Sequence, residues 1–227
     1  MALKRKGARP PDARMIAAKT VLHALLLVPL CVLIYRTSQD MVHGTALLGG
    51  DPVAEIEHFL GLWSLRILCL ALAVTPLARL LRGSELLQFR RMVGLYAFAY
   101  ATIHFLAYLV LDLGNYAGAI LEDIAKRPFI TVGFVAWLIL LAMALTSTRA
   151  AMFKLGPLWK RLHRLVYLAA PLAALHFWWM VKSDIREPAL YAAIIAGLLL
   201  IRIYWRLTAP KGISAARKRS TPSQSPR

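Results

Sequence analysis

Charge is scarce in this 227-residue chain, and acid scarcest of all: charged residues make up 17%, and 28 Lys and Arg stand against 11 Asp and Glu. A soluble domain carries about 25% charge. With 59% hydrophobic residues and a mean hydropathy of +0.58, the chain reads as a membrane protein. Cysteine is nearly missing. Cys31 and Cys69 both fall inside apolar runs, too few for a disulfide scaffold and without Cys-x-x-Cys spacing; they read as small buried hydrophobes. Also lacking are a Gly-x-Gly-x-x-Gly, a Walker loop, a Cys-x-x-Cys-His and a zincin motif, so no nicotinamide-nucleotide domain is expected. In a soluble protein a net charge of +17 would point to nucleic acid. Here the apolar content assigns it instead to loops held against an anionic membrane surface, and no nucleic-acid partner is expected.

What is present is a series of long apolar runs. Six are long enough to cross about 30 Å of hydrocarbon as helices: 16–35, 59–78, 92–111, 129–148, 165–181 and 189–207. In lipid the backbone must be satisfied internally, so the fold class is an all-α integral membrane protein, a bundle of six transmembrane helices in one domain. The basic run Lys4, Arg5, Lys6, Arg9 and Arg14 followed by an apolar stretch has the outline of a secretory signal. That stretch ends at Ile34, Tyr35 and Arg36 without a small-residue cleavage site, so it is expected to be retained as the first helix. Lys and Arg place the orientation: 21 fall in the N-terminal stretch to Lys19, the 79–91 and 149–164 loops and the stretch from Arg206 on, against five in the opposite loops, which hold nine of the eleven acids. Both termini are therefore expected in the cytoplasm. The organisation is a basic N-terminal segment (1–15), the membrane bundle (16–207) and a basic tail (208–227) expected to be disordered.

An ionisable side chain inside a span costs a few kcal/mol on insertion scales and needs a reason. Lys19 and Arg202 lie near the inner ends of their spans, where long stems snorkel. His104 and His176 differ by depth. The third and fifth spans run in the same direction, and counting from their outer ends at about 1.5 Å per residue puts the two histidines within about 3 Å of one height. Two level histidines on neighbouring helices can bracket one flat metal macrocycle, so they are the expected axial ligands of one haem b, with the iron as the metal. Arg66 on the second span reaches the same height, and a haem propionate would be its anion.

His163 lies thirteen residues before His176, about 20 Å lower, and is an alternative ligand or part of an inner redox site. A second haem there would need a mate on the third span, but Arg90 and Arg91 occupy that level and do not ligate iron. With Lys160, Arg161 and Arg164 they form a basic rim suited to a flavin phosphate, a quinone or an acidic protein face, or simply to the positive inner surface of any membrane protein. His23 is a rival inner ligand, and His43 and His58 at the first outer loop read as solvated.

Several runs together resemble a known family. They are GLWSLRIL and AVTPLARL in the second span, RRMVGLYAFAYATIHF opening the third, KRPFITVG and ALTS bounding the fourth, and LGPLWKRLHRLVYL leading to ALHFWW in the fifth. In this order they are similar to the MsrQ (YedZ) family, haem-binding membrane subunits related to ferric reductase-like transmembrane domains. The resemblance covers roughly residues 15–207. It implies haem b and FMN as cofactors and a place in the bacterial inner membrane. It also implies electrons passed from a cytoplasmic flavin reductase or the quinone pool to a periplasmic molybdopterin (MsrP-like) methionine sulfoxide reductase. His104, His163 and His176 match the family's motif histidines; the depth argument selects the first and last. Arg90, Arg91 and Arg164 are the candidates for holding FMN or a quinone.

The expectation is thus an electron-transfer subunit, not itself an enzyme, whose partner acts on oxidised methionine in periplasmic proteins. A stand-alone cytochrome b-type quinol or metal reductase would also hold haem but work without that partner. A small proton or anion transporter would be colourless, and a scaffold subunit would tolerate loss of every intramembrane histidine.

Overall fold

The computed structural model describes residues 13–114, 117–181 and 183–208; the basic segment before Ala13 and the tail beyond Thr208 lie outside the described residues. Nine α-helices follow one another, with no strand among the described residues. They are α1 (Ala13–His43), α2 (Pro52–Leu80), α3 (Arg90–Ala107), α4 (Ala117–Lys126), α5 (Pro128–Leu145), α6 (Arg149–Leu155), α7 (Pro157–Leu162), α8 (Val166–Met180) and α9 (Arg186–Thr208). Five helical stretches are long and apolar enough to cross a membrane: α1, α2, α3 with the turns at its two ends, α5 and α9. The remaining expected span, 165–181, forms α8, whose 15 residues reach only about 22 Å.

Local chemistry sets the ends. Asp51 caps α2 by accepting from the Ala54 amide at 3.0 Å, with Pro52 in the first turn, where its missing N–H costs nothing. Pro128 opens α5 in the same way. The expected first span stops at residue 35, yet α1 continues to His43, because its polar end is tied down. Thr37 and Ser38 donate to the Leu33 and Tyr35 carbonyls, and Arg36 pairs with Glu55 at 3.3 Å. The third span ends in a π-turn over Tyr108–Asp112. The loops hold three helices that apolar length alone does not reveal: α4 at the acidic end, and α6 and α7 at the basic end.

α2 is the hub, packed on α1, α3, α8 and α9, while α5 packs on α8 and α3. Alanines at the centre of the bundle, Ala97, Ala169 and Ala170, are fully buried and let backbones approach closely. Large apolar side chains such as Val21, Leu25, Ile34, Leu138, Leu168 and Ile203 face outward, as a lipid solvent requires. Two polar contacts key the helices together. The Tyr100 hydroxyl donates to the Leu26 carbonyl (2.8 Å) and accepts from the Leu30 amide (3.1 Å), splicing α3 into the α1 ladder beside Pro29. Arg202 does not snorkel: it is 9% exposed and donates to the carbonyls of Leu198 and Leu72. Leu72 stands four residues before Pro76, which has no N–H to give it, so the guanidinium replaces the missing donor.

Candidate functional site

A cavity of about 330 Å³ opens in the acidic half of the bundle between α2, α3, α5 and α8. His104 enters it from α3 and His176 from α8, and their ring centres stand 6.3 Å apart. Two imidazoles on opposite faces of one iron, with metal–nitrogen bonds of about 2 Å and about 1 Å more to each ring centre, would be separated by about 6 Å. The observed spacing fits.

Each ring is seated against a glycine. A Cβ on Gly133 of α5 would lie 2.7 Å from His176 Nδ1, and one on Gly61 of α2 would lie 3.2 Å from His104 Cε1. His176 Nδ1 is 2.8 Å from the Phe129 carbonyl, one turn before Gly133. A nitrogen facing a carbonyl carries the proton, so Nε2 of the neutral ring keeps its lone pair, the arrangement that commonly orients a metal-ligating histidine. His104 Nδ1 is buried without a hydrogen-bond partner. Phe105, Phe134 and Trp137 make one aromatic wall, with ring centres 4.8 to 5.9 Å apart, and Trp137 Nε1 donates to the Thr102 hydroxyl at 3.1 Å. The donor set and the cradle therefore suit a flat macrocycle with two axial imidazoles.

The rim is polar. Glu57, His58, Asp112 and Arg127 line it; Glu57 Oε1 is buried without a partner, and Arg127 pairs with Asp123 at 2.8 Å. Sequence reasoning did not single out Glu57 or Arg127, and it read His58 as simply solvated. The available signal was spacing: Ala54, Glu57, His58, Gly61, Ser64, Leu65 and Leu68 recur every three to four residues and form one face of α2.

The other expected site residues lie elsewhere. Arg66 does not line the cavity; its Nε donates to the Tyr191 hydroxyl at 2.8 Å, its Nη2 meets Glu187 at 3.3 Å, and it lies over the Trp63 ring. Its anion is thus a carboxylate of this chain on α9. His163 is at the basic end, stacked on Trp159 at 4.0 Å with Nδ1 3.1 Å from the Trp159 carbonyl. Burial, reinforced by Arg90, holds that imidazole below its ordinary value, partly offset by the carbonyls of Trp159 and Met143. Arg90, Arg91 and Arg164 are exposed at the same end. His23 on α1 bonds the Tyr96 hydroxyl at 2.8 Å.

Residues 60–174 match the family model described as ferric reductase like transmembrane component, a stretch that includes His104 and His163 and stops two residues before His176. The protein-methionine-sulfoxide reductase heme-binding subunit MsrQ of Xanthomonas axonopodis pv. citri is 52% identical over 213 residues, covering 94% of this chain and 97% of that protein. The protein of the same description from Xanthomonas campestris pv. campestris is 53% identical over the same shares. The one from Brucella ovis is 51% identical over 166 residues, 73% of each chain.

Proposed function

This chain belongs to the MsrQ family of heme-binding subunits, and from that premise we propose that it is a haem b electron-transfer subunit of a periplasmic methionine sulfoxide reductase system. The observation that carries the reading is the pair of imidazoles 6.3 Å apart across one cavity. His104 and His176 hold the iron, and the Phe129 carbonyl fixes the His176 tautomer. Haem b, when bound, supplies a one-electron carrier inside the membrane. Arg66 was expected beside a haem propionate by its height, but it is Arg127 that borders the cavity, so we assign Arg127 to the carboxylates of the group and leave Arg66 to Glu187.

In this reading the chain makes six passes through the bacterial inner membrane, α8 being the shortest, with both termini in the cytoplasm and the cavity toward the periplasm. Electrons arrive at the basic end from a cytoplasmic flavin reductase or the quinone pool. There His163, Arg90, Arg91 and Arg164 are the residues we assign to FMN or a quinone. They leave at the acidic end to a molybdopterin-containing catalytic subunit, where methionine sulfoxide is reduced.

The test is a dithionite-reduced minus oxidised spectrum of the purified chain with a pyridine haemochrome count. About one b-type haem per chain is expected. His104→Ala and His176→Ala should each abolish retention, and His163→Ala should keep it. A colourless protein after expression with ample haem would sink the proposal.

A further inference from the structure

The two ends of the bundle treat charge differently. The ion pairs among the described residues, Arg36–Glu55, His58–Glu187, Arg66–Glu187, Lys126–Glu122, Arg127–Asp123 and Arg186–Asp184, all lie at the acidic end. At the basic end the one described acid, Glu85, joins no such pair. Within that end a group of arginines converges on one ring. Arg202 lies over Tyr167 of α8 with its guanidinium carbon 5.4 Å from the ring centre, and Arg206, one turn further along α9, lies over the same ring at 5.7 Å. Alongside, Arg79 of α2 lies 4.5 Å over Trp205.

Like charges four residues apart on a helix repel, and a buried guanidinium without an anion is costly. Arg202 has a structural reason to be buried, the Leu72 carbonyl. That contact is neutral and does not balance its charge. A solvated rim of positive residues would spread its arginines; this one stacks two on a single tyrosine. Arg202 gives a donor from each Nη to a backbone carbonyl, whereas Arg206 is exposed, and stacking leaves its guanidinium edge turned away from the ring, where it can donate in pairs to phosphate oxygens. Arg206 stands about 3 Å before the end of α9, at the level where a span meets headgroups, and Arg202 about 6 Å deeper.

We propose that Arg202 and Arg206, both stacked on Tyr167, bind the phosphate of an anionic phospholipid in the leaflet at the basic end. The lipid supplies an anion that no described residue offers there, and in doing so ties α9 to α8. This site is independent of the histidine cavity and stands whether or not haem is bound.

The full chain would be placed in nanodiscs of phosphatidylcholine with a minor share of phosphatidylglycerol, and the lipids it retains would be read by native mass spectrometry. Preferential retention of phosphatidylglycerol is expected. Arg206→Gln should lower it about tenfold or more, the loss expected for charge-assisted bonds. Arg149→Gln, which removes equal charge from the same end, should leave it unchanged. Equal retention of the two lipids would overturn the proposal, and so would equal losses in both variants, which would mean a diffuse surface potential. Millimolar inorganic phosphate displacing the lipid from the wild-type chain would also overturn it, in favour of a soluble phosphate.

Discussion

Replacing Gly133 with Ala tests whether the His176 seat is built for ligation. The added methyl would stand 2.7 Å from Nδ1, 2.9 Å from Cε1 and 3.0 Å from Cγ of His176, closer than real carbon contacts allow. To regain ordinary contact near 3.4 Å the ring has to withdraw from α5 by about 0.7 Å. That stretches the 2.8 Å bond to the Phe129 carbonyl to about 3.5 Å, beyond hydrogen-bonding reach, and frees the tautomer. Loss of such an orienting contact costs about 10–100-fold in metal-site affinity. The assay is haem retained per chain after challenge with excess apomyoglobin as a scavenger, read by pyridine haemochrome. Gly61→Ala, whose methyl meets His104 at 3.2 Å, should show a smaller loss, because the ring need yield only a few tenths of an ångström. Gly197→Ala in α9 meets nothing within 4 Å. It should leave haem intact and raise stability by about 0.5–1 kcal/mol from helix propensity. Wild-type retention in Gly133→Ala, or an equal loss in Gly197→Ala, would refute the reasoning.

Arg202→Leu should destabilise the chain in detergent by about 1–3 kcal/mol, since it leaves the Leu72 carbonyl without a donor. Pro76→Ala restores an N–H to that carbonyl, so the double variant should recover much of the loss; strictly additive costs in a double-mutant cycle would break the link. At the basic end, burial lowers the His163 proton affinity, so below its ordinary value near 6.5 the unfolded chain binds the proton more readily. Stability should therefore fall as pH drops through that range, and thermal melting of His163→Gln should show a flatter acid limb; identical limbs would contradict the burial.

The apolar runs made five of the spanning helices legible, because a stretch that must satisfy its own backbone in lipid has few alternatives. Their ends were less legible: α1 overshoots its run through Arg36–Glu55 and the hydroxyls of Thr37 and Ser38, which hydropathy scores only as polar. The juxtaposition of His104 and His176 could be counted, since rise along parallel helices is a property of sequence alone. Azimuth could not be counted so easily. Arg66 has the right height, but its guanidinium turns to Tyr191 and Glu187 of α9 instead of the cavity. Height without azimuth assigned it to the wrong side of α2, where Glu187, on a helix more than a hundred residues away, receives it. Glu57 and Arg127 were missed for the complementary reason: they lie outside the apolar runs, on turns of helix that only the folded bundle brings over the cavity.

The prolines show how the height of the histidines is held. Read as sequence, Pro29 and Pro76 are interruptions in otherwise regular spans. In the bundle each stands beside a polar contact from another helix: Tyr100 enters the α1 ladder at Leu26 and Leu30, and Arg202 takes the Leu72 carbonyl that Pro76 leaves free. Apolar packing against lipid is nearly indifferent to sliding, because lipid tails are as apolar as the side chains they meet. A hydrogen bond to one particular backbone group is not, and a slip of one residue would move it by about 1.5 Å and break it. Tyr100 lies one turn from His104 on α3, so its bonds set the height of that histidine against α1. Arg202 fixes α9 against α2, which carries Gly61 and the cavity face. A slip of that size would also shift His104 or Gly61 by about 1.5 Å against the rest of the bundle, so the proline-linked contacts help hold the 6.3 Å spacing of the imidazoles from a distance.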